Sequence, residues 1–177
     1  MRVFQLTADL PEKYSALVGS IVTRWSIQER LLADLTYALL NIDLKRGRIA
    51  VRSPRANEHI VMIKQLMSLD GIQCDSIDLD KLAEQLRALE SIRDLVAHGL
   101  WFVEPKTKLP AVRNTAGHWK PDPKGPKVSR RIKPEAVVFD TSSFGNILDA
   151  IEKTIRETMA AHVEITKKLQ ASRRKSP

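Results

Sequence analysis

Leu10, Tyr14, Leu17, Ile21, Trp25, Leu32, Leu35 and Leu39 recur at spacings of three, four or seven, one apolar stripe along a helix running to about residue 41. Three later segments repeat the pattern. Ile60, Ile63, Leu66, Met67 and Leu69 form a second stripe, and Leu79, Leu82, Leu86, Leu89, Ile92, Val96 and Leu100 a third. Phe144, Leu148, Ile151, Ile155, Thr158, His162, Ile165 and Leu169 form a fourth. A helix with one apolar face must bury it against another element, so these stripes predict an all-α bundle of four to five helices.

Local signals place the helix ends. Asp9 suits an N-cap, with Pro11 and Glu12 in the first turn. Lys45-Arg46-Gly47-Arg48 reads as a basic turn. Ser53-Pro54 reads as a cap followed by proline at the first helical position, and Gly71 ends that helix. Ser76 or Asp78 can cap the third long helix, and Thr141, Ser142 or Ser143 the last. Residues 172–177 read as a disordered basic tail, which leaves 1–171 as a single domain.

Composition limits the setting. A chain of 177 residues, 43% apolar, can bury a real core, and no apolar run is long enough to cross a bilayer. Met1 to Gln5 lack the apolar run and cleavage site of a secretory leader. Cys74 has no internal disulfide partner, and four scattered histidines make no zinc cluster. These features predict a cytoplasmic protein without membrane contact, structural metal or cofactor.

The helical pattern breaks from about residue 101 to 140, where six of the nine prolines fall. Leu100–Val103, Ala111–Arg113 and Val128–Ile132 are candidate strands of a small antiparallel hairpin inserted between the third and fourth long helices. Lys120 to Pro126 reads as its mobile tip. Of the formal net charge of +8, residues 101–134 carry +7, from nine lysines and arginines against Glu104 and Asp122. Such a patch suits a polyanion, with Lys120, Lys124, Lys127, Arg130 and Arg131 as candidate nucleic-acid contacts. A solvated loop carrying charge for solubility is the competing reading.

The segment Arg93-Asp94-Leu95-Val96-Ala97-His98-Gly99 closes the third stripe. Arginine holds a phosphate in any protonation state, and histidine exchanges a proton near neutral pH. At about 100° per residue, Arg93 falls inside the apolar arc, with Asp94 and His98 together on its flank. An unpaired buried guanidinium is expensive, and Glu29 on the first helix is its expected partner.

These residues resemble the signature of the HEPN superfamily (higher eukaryotes and prokaryotes nucleotide-binding domains). That signature is an arginine, a polar residue, three variable residues and a histidine late in a bundle helix. Arg93, Asp94 and His98 match it. His98-Gly99-Leu100-Trp101 is similar to a bacterial variant that also carries a tryptophan and a glutamate, here Trp25 and Glu29. Asparagine often follows the arginine, and Asp94 departs from that, setting negative charge beside the phosphate site.

The resemblance implies metal-independent RNA cleavage, with Arg93, Asp94 and His98 catalytic and Trp25 and Glu29 in structural support. His98 would move protons, Arg93 would steady charge on the phosphorane, and Asp94 would orient the imidazole. Positions five apart on a helix diverge by about 140°, so one chain does not turn both groups on one phosphate. The resemblance therefore also implies a homodimer with the helices near its axis. A toxin or defence effector, paired with an antitoxin or other protein, is one setting. The alternative is a non-catalytic module binding nucleic acid, nucleotide or a partner protein. In that reading Arg93 serves Glu29, and His98 with Gly99 simply ends the helix. Trp101 and Trp119 can stack on bases, though hairpin packing is the plainer use. His162 is expected to be a satisfied core histidine.

Overall fold

A computed structural model describes residues 10–51, 55–104, 106–113, 119–120, 130–131 and 136–175. Among them five helices form the body: α1 Glu12–Leu40, α2 Leu44–Ala50, α3 Ala56–Leu69, α4 Leu79–His98 and α5 Thr141–Lys175. At 1.5 Å per residue, α1 and α5 are rods of about 43 and 52 Å. They pack on each other, while α3 and α4 complete the bundle. The stripes meet inside: Ile21, Trp25, Leu32 and Leu35 of α1 are fully buried with Ile60 and Ile63 of α3. Leu82, Leu86 and Val96 of α4 and Phe144, Ile151 and Ile165 of α5 join them. The protein is predominantly α.

The caps are more specific than the sequence suggested. Pro11 occupies the N-cap of α1, and the expected cap Asp9 lies outside the described residues. Ser53 and Pro54 also lie outside them, and α3 starts behind Arg55, whose backbone N–H donates to Glu58 at 2.9 Å. Gly71, at φ 63°, closes α3 as expected, with the Ile72 N–H reaching back to the Met67 carbonyl at 2.9 Å. Asp78, not Ser76, caps α4 by accepting from the N–H groups of Asp80 and Lys81 at 3.0 Å. At α5 the cap is Asp140 rather than Thr141, Ser142 or Ser143. Its carboxylate accepts from the Ser143 hydroxyl at 2.6 Å, the Ser143 N–H at 2.7 Å and the Ser142 hydroxyl at 2.8 Å. Those bonds, the Ser143 hydroxyl first, pull the Asp140 carboxyl down to about 2.

Four expectations need correction. Lys45-Arg46-Gly47-Arg48 is not a turn but the middle of α2, because Asp43 caps the N–H groups of Lys45 and Arg46 at 2.8 and 3.0 Å. Gly47 is required there by the Tyr37 ring, since a Cβ would come within 2.6 Å of it. Leu69 and Leu100 leave the core: Leu69 is 82% exposed at the end of α3, and Leu100 has passed from helix into strand. The tail is helical to Lys175, while Ser176 and Pro177 lie outside the described residues. Finally, His162 is only half-buried, and the core histidine is His59, 3% exposed. The Thr36 hydroxyl donates to the Leu32 carbonyl at 2.8 Å, so His59 Nδ1–H must donate to the Thr36 oxygen at 2.9 Å. Burial depresses the His59 imidazole below the usual histidine value, against the raising effect of Glu58.

Among the described residues of the insertion between α4 and α5 are five short strands: β1 Leu100–Val103, β2 Pro110–Arg113, β3 Trp119–Lys120, β4 Arg130–Arg131 and β5 Ala136–Val138. The expected β1–β2 hairpin is present, with Leu100 opposite Arg113 and Val103 opposite Pro110. Its third strand is β5, in the order β1-β2-β5, not Val128–Ile132. That run supplies β4, which pairs with β3 as a separate ribbon. Of the expected tip from Lys120 to Pro126, Lys120 belongs to β3 and the rest lies outside the described residues.

Candidate active site

The site is built where α4 crosses α1. The Arg93 guanidinium donates through Nη2 to Glu29 Oε1 at 2.7 Å, and its Nη1 forms an ion pair with Asp94 Oδ1 at 2.9 Å. The same Glu29 oxygen accepts from Trp25 Nε1–H at 2.8 Å. Arg93 Cζ lies 5.6 Å from the centre of the Trp25 ring, a cation–π contact. Trp25 is 1% exposed, so Glu29 satisfies a buried donor while holding the arginine. The expected Glu29–Arg93 pair is therefore present, and Trp25 belongs to the same unit. The Arg93 side chain remains 19% exposed and that of Asp94 37%.

His98 is the last residue of α4, and it is exposed. It lies one helical turn beyond Asp94, at the C-terminal end of the helix, where a cation is favoured. Gly99 ends the helix, but not through a left-handed turn: its backbone is extended, at φ −73° and ψ 159°. Close packing requires the glycine instead. A Cβ would collide with the Leu95 carbonyl oxygen and Val112 Cγ2, and would sit 3.3 Å from the Arg113 carbonyl. The strand β2 thus presses on the helix end and fixes where His98 emerges. Trp101 locks the junction from β1. Its Nε1–H donates to the Val96 carbonyl at 3.1 Å, and its ring stacks on Phe144, centroids 6.3 Å apart, beside Phe139. That commits Trp101 to packing, as its plainer reading held.

The basic candidates are divided. Lys120 and Arg130 are backbone partners in the β3–β4 ribbon, as are Trp119 and Arg131. Lys124 and Lys127 lie outside the described residues. Sequence reasoning passed over Glu90. It is 6% exposed, three residues before Arg93 and one turn before Asp94. Its carboxyl is raised above the ordinary range by burial first and by the Asp94 charge. Arg55, the Ala56 N–H and Arg93 pull the other way. Its position one turn after Leu86 on the apolar stripe was the available signal, since a glutamate there must be buried.

Among the described residues no helix is long and apolar enough to cross a membrane, and no group of three His, Cys, Asp or Glu side chains stands as a metal ion would need. No family model, no curated relative and no solved structure matches this chain.

Proposed function

We propose that this protein is an endoribonuclease of the HEPN type, cleaving RNA without a metal ion. The single observation that carries the reading is the junction at the end of α4. An exposed imidazole is fixed there one turn beyond Asp94, on the same helix as an arginine anchored by Glu29 and Trp25. In the reaction the ribose 2′-oxygen bonds to its own phosphorus and the bond from phosphorus to the 5′-oxygen breaks. A cyclic phosphate and a 5′-hydroxyl result. The His98 imidazole takes the 2′ proton, and the imidazolium of a second copy returns one to the leaving 5′-oxygen. Arg93 opposes the charge that gathers on the phosphorane. Two copies meet at α4, because one helix cannot turn both groups to a single phosphate. A cytoplasmic toxin or defence effector, held by an antitoxin or other protein, is the setting we propose.

The basic segment between α4 and α5 gives RNA a second foothold through Lys120, Lys124, Lys127, Arg130 and Arg131. Incubation with single-stranded RNA in chelator tests the proposal. Cleavage should leave cyclic phosphate ends and disappear in His98→Ala; undiminished cleavage in that variant refutes the assignment.

One observation favours the non-catalytic module. Both terminal nitrogens of Arg93 are already on carboxylates, so the guanidinium offers a phosphate little unbalanced charge. In that case RNA binds to the ribbon without being cut, and affinity falls steeply with salt as counterions are released.

A further inference from the structure

Two buried polar atoms near Arg93 have no hydrogen-bond partner among the described residues: Arg93 Nε, a donor, and Glu90 Oε1, an acceptor. They belong to residues three apart on α4, which are neighbours on a helix surface. Buried polar groups are almost always satisfied, and an orphaned donor and an orphaned acceptor on neighbouring residues of one helix ask for a reason. The Glu90 carboxylate is no stray surface group, being 6% exposed, with the Ala56 N–H at the start of α3 favouring its charged form. Asp94, by contrast, has a side chain 37% exposed and is ion-paired with Nη1. It also sits one turn before His98, where a carboxylate can reach the imidazole.

We propose that Glu90 is the positioning residue for Arg93 in a carboxylate exchange that accompanies RNA binding. The scheme rests on the ribonuclease reading above. A phosphate diester takes Arg93 Nη1, Asp94 leaves the guanidinium for His98, and Arg93 Nε–H closes onto Glu90 Oε1 while Nη2 stays on Glu29. The arginine keeps two carboxylates throughout, so its position is held while one face opens to the phosphate. Departure of Asp94 also removes the like charge that opposes ionisation of Glu90. The exchange accounts for both orphans, and it explains how an arginine tied to two carboxylates can still receive a phosphate.

The test uses the full chain, a mixed-sequence single-stranded RNA in chelator and its uncleavable 2′-O-methyl counterpart. Glu90→Gln keeps the shape and the acceptor for Ala56 but weakens the hold on Nε. It should lower kcat about 10- to 100-fold with KM within about twofold, as expected when a reacting geometry slips. In the wild type, saturation with the 2′-O-methyl RNA should move the Arg93 Nε–H signal downfield and slow its exchange, with Arg93→Lys assigning the peak. This second readout needs no variant of Glu90 to fold. Full kcat in Glu90→Gln, or an unmoved Nε–H signal in a complex that forms, overturns the exchange alone. Wild-type protein that neither cleaves nor binds RNA overturns the ribonuclease reading and the exchange with it.

Discussion

Two charged clusters tie helices together in this molecule, and they are built to different rules. On α5, Glu164 accepts from the backbone N–H groups of Asp75 at 2.8 Å and Ser76 at 3.0 Å, and from Lys168 at 2.7 Å. Lys168 in turn donates to Asp75 Oδ2 at 2.5 Å and to the Gln73 carbonyl at 2.8 Å. The loop between α3 and α4 is thereby fastened to α5. The Asp75 N–H, with Lys168 next, holds the Glu164 carboxyl far below its ordinary range, and Asp75 and then Glu164 push Lys168 up to about 12. Around Arg93 the balance is reversed. Carboxylates outnumber the guanidinium, burial pushes Glu90 up, and a donor and an acceptor are left over. The first cluster is a closed staple with its capacity spent; the second has bonds still to make.

Activity should separate the two most sharply. His98→Ala should slow RNA cleavage about 10²- to 10⁴-fold, the usual worth of a positioned general acid or base. Because His98 is exposed, its loss should move unfolding free energy by less than about 0.5 kcal/mol. Glu164→Gln should leave cleavage unchanged, and an equal loss in both variants would erase the distinction. Stability gives the next largest effect. Glu29→Ala removes the acceptor of the buried Trp25 N–H and one carboxylate of Arg93, and should cost about 1–3 kcal/mol in urea unfolding. Glu29→Gln keeps an acceptor and should recover part of that; no recovery would mean that Trp25 does not depend on this bond.

The bundle was legible because helical spacing writes the buried face directly into the sequence, and Leu82, Leu86, Leu89 and Val96 needed no tertiary knowledge. Glu29 was also within reach, because a guanidinium inside an apolar arc demands a partner and few carboxylates lie on inward faces. Glu90 was legible only in part. Its place one turn after Leu86 marks it for burial, but that the start of α3 lies against it is a contact between segments that no local pattern reports. Gly99 was read correctly as the end of the helix, and the strand holding Val112 was expected too, but that this strand packs against the helix end at Gly99 is a contact no local pattern reports. The β5 strand was missed for the same reason. Three residues, Ala136 to Val138, carry too little periodicity to stand out, and pairing with β2 makes them a strand. Asp140 displaced three hydroxyl residues as the cap of α5 because its carboxylate accepts the Ser143 N–H together with the hydroxyl protons of Ser142 and Ser143.

The smallest expected effect, on the dependence of stability on pH, sharpens the contrast most. Glu164 is held below the ordinary 4.5, so its unfolded form takes up a proton first as acid is added. Its contribution is present above about pH 4.5 and is lost as pH falls below that value. Glu90 is raised above 4.5, so the folded protein holds this proton longer than the unfolded chain does. Its contribution is present below about pH 4.5 and is lost as pH rises through the raised value. His59, depressed below 6.5, adds a loss of stability on acidification, but it is common to every variant compared and cancels in the difference. Urea midpoints measured from about pH 7 down to about pH 4 therefore have opposite expectations for two glutamine substitutions. Glu164→Gln should be less stable than the wild type at neutral pH, with the gap closing in acid. Glu90→Gln should be the more stable at neutral pH, with its advantage shrinking toward pH 4.5. If the two differences carry the same sign, the clusters are not staple and reserve but two versions of one device, and the case for Glu90 as a group with a bond still to make fails on stability grounds alone.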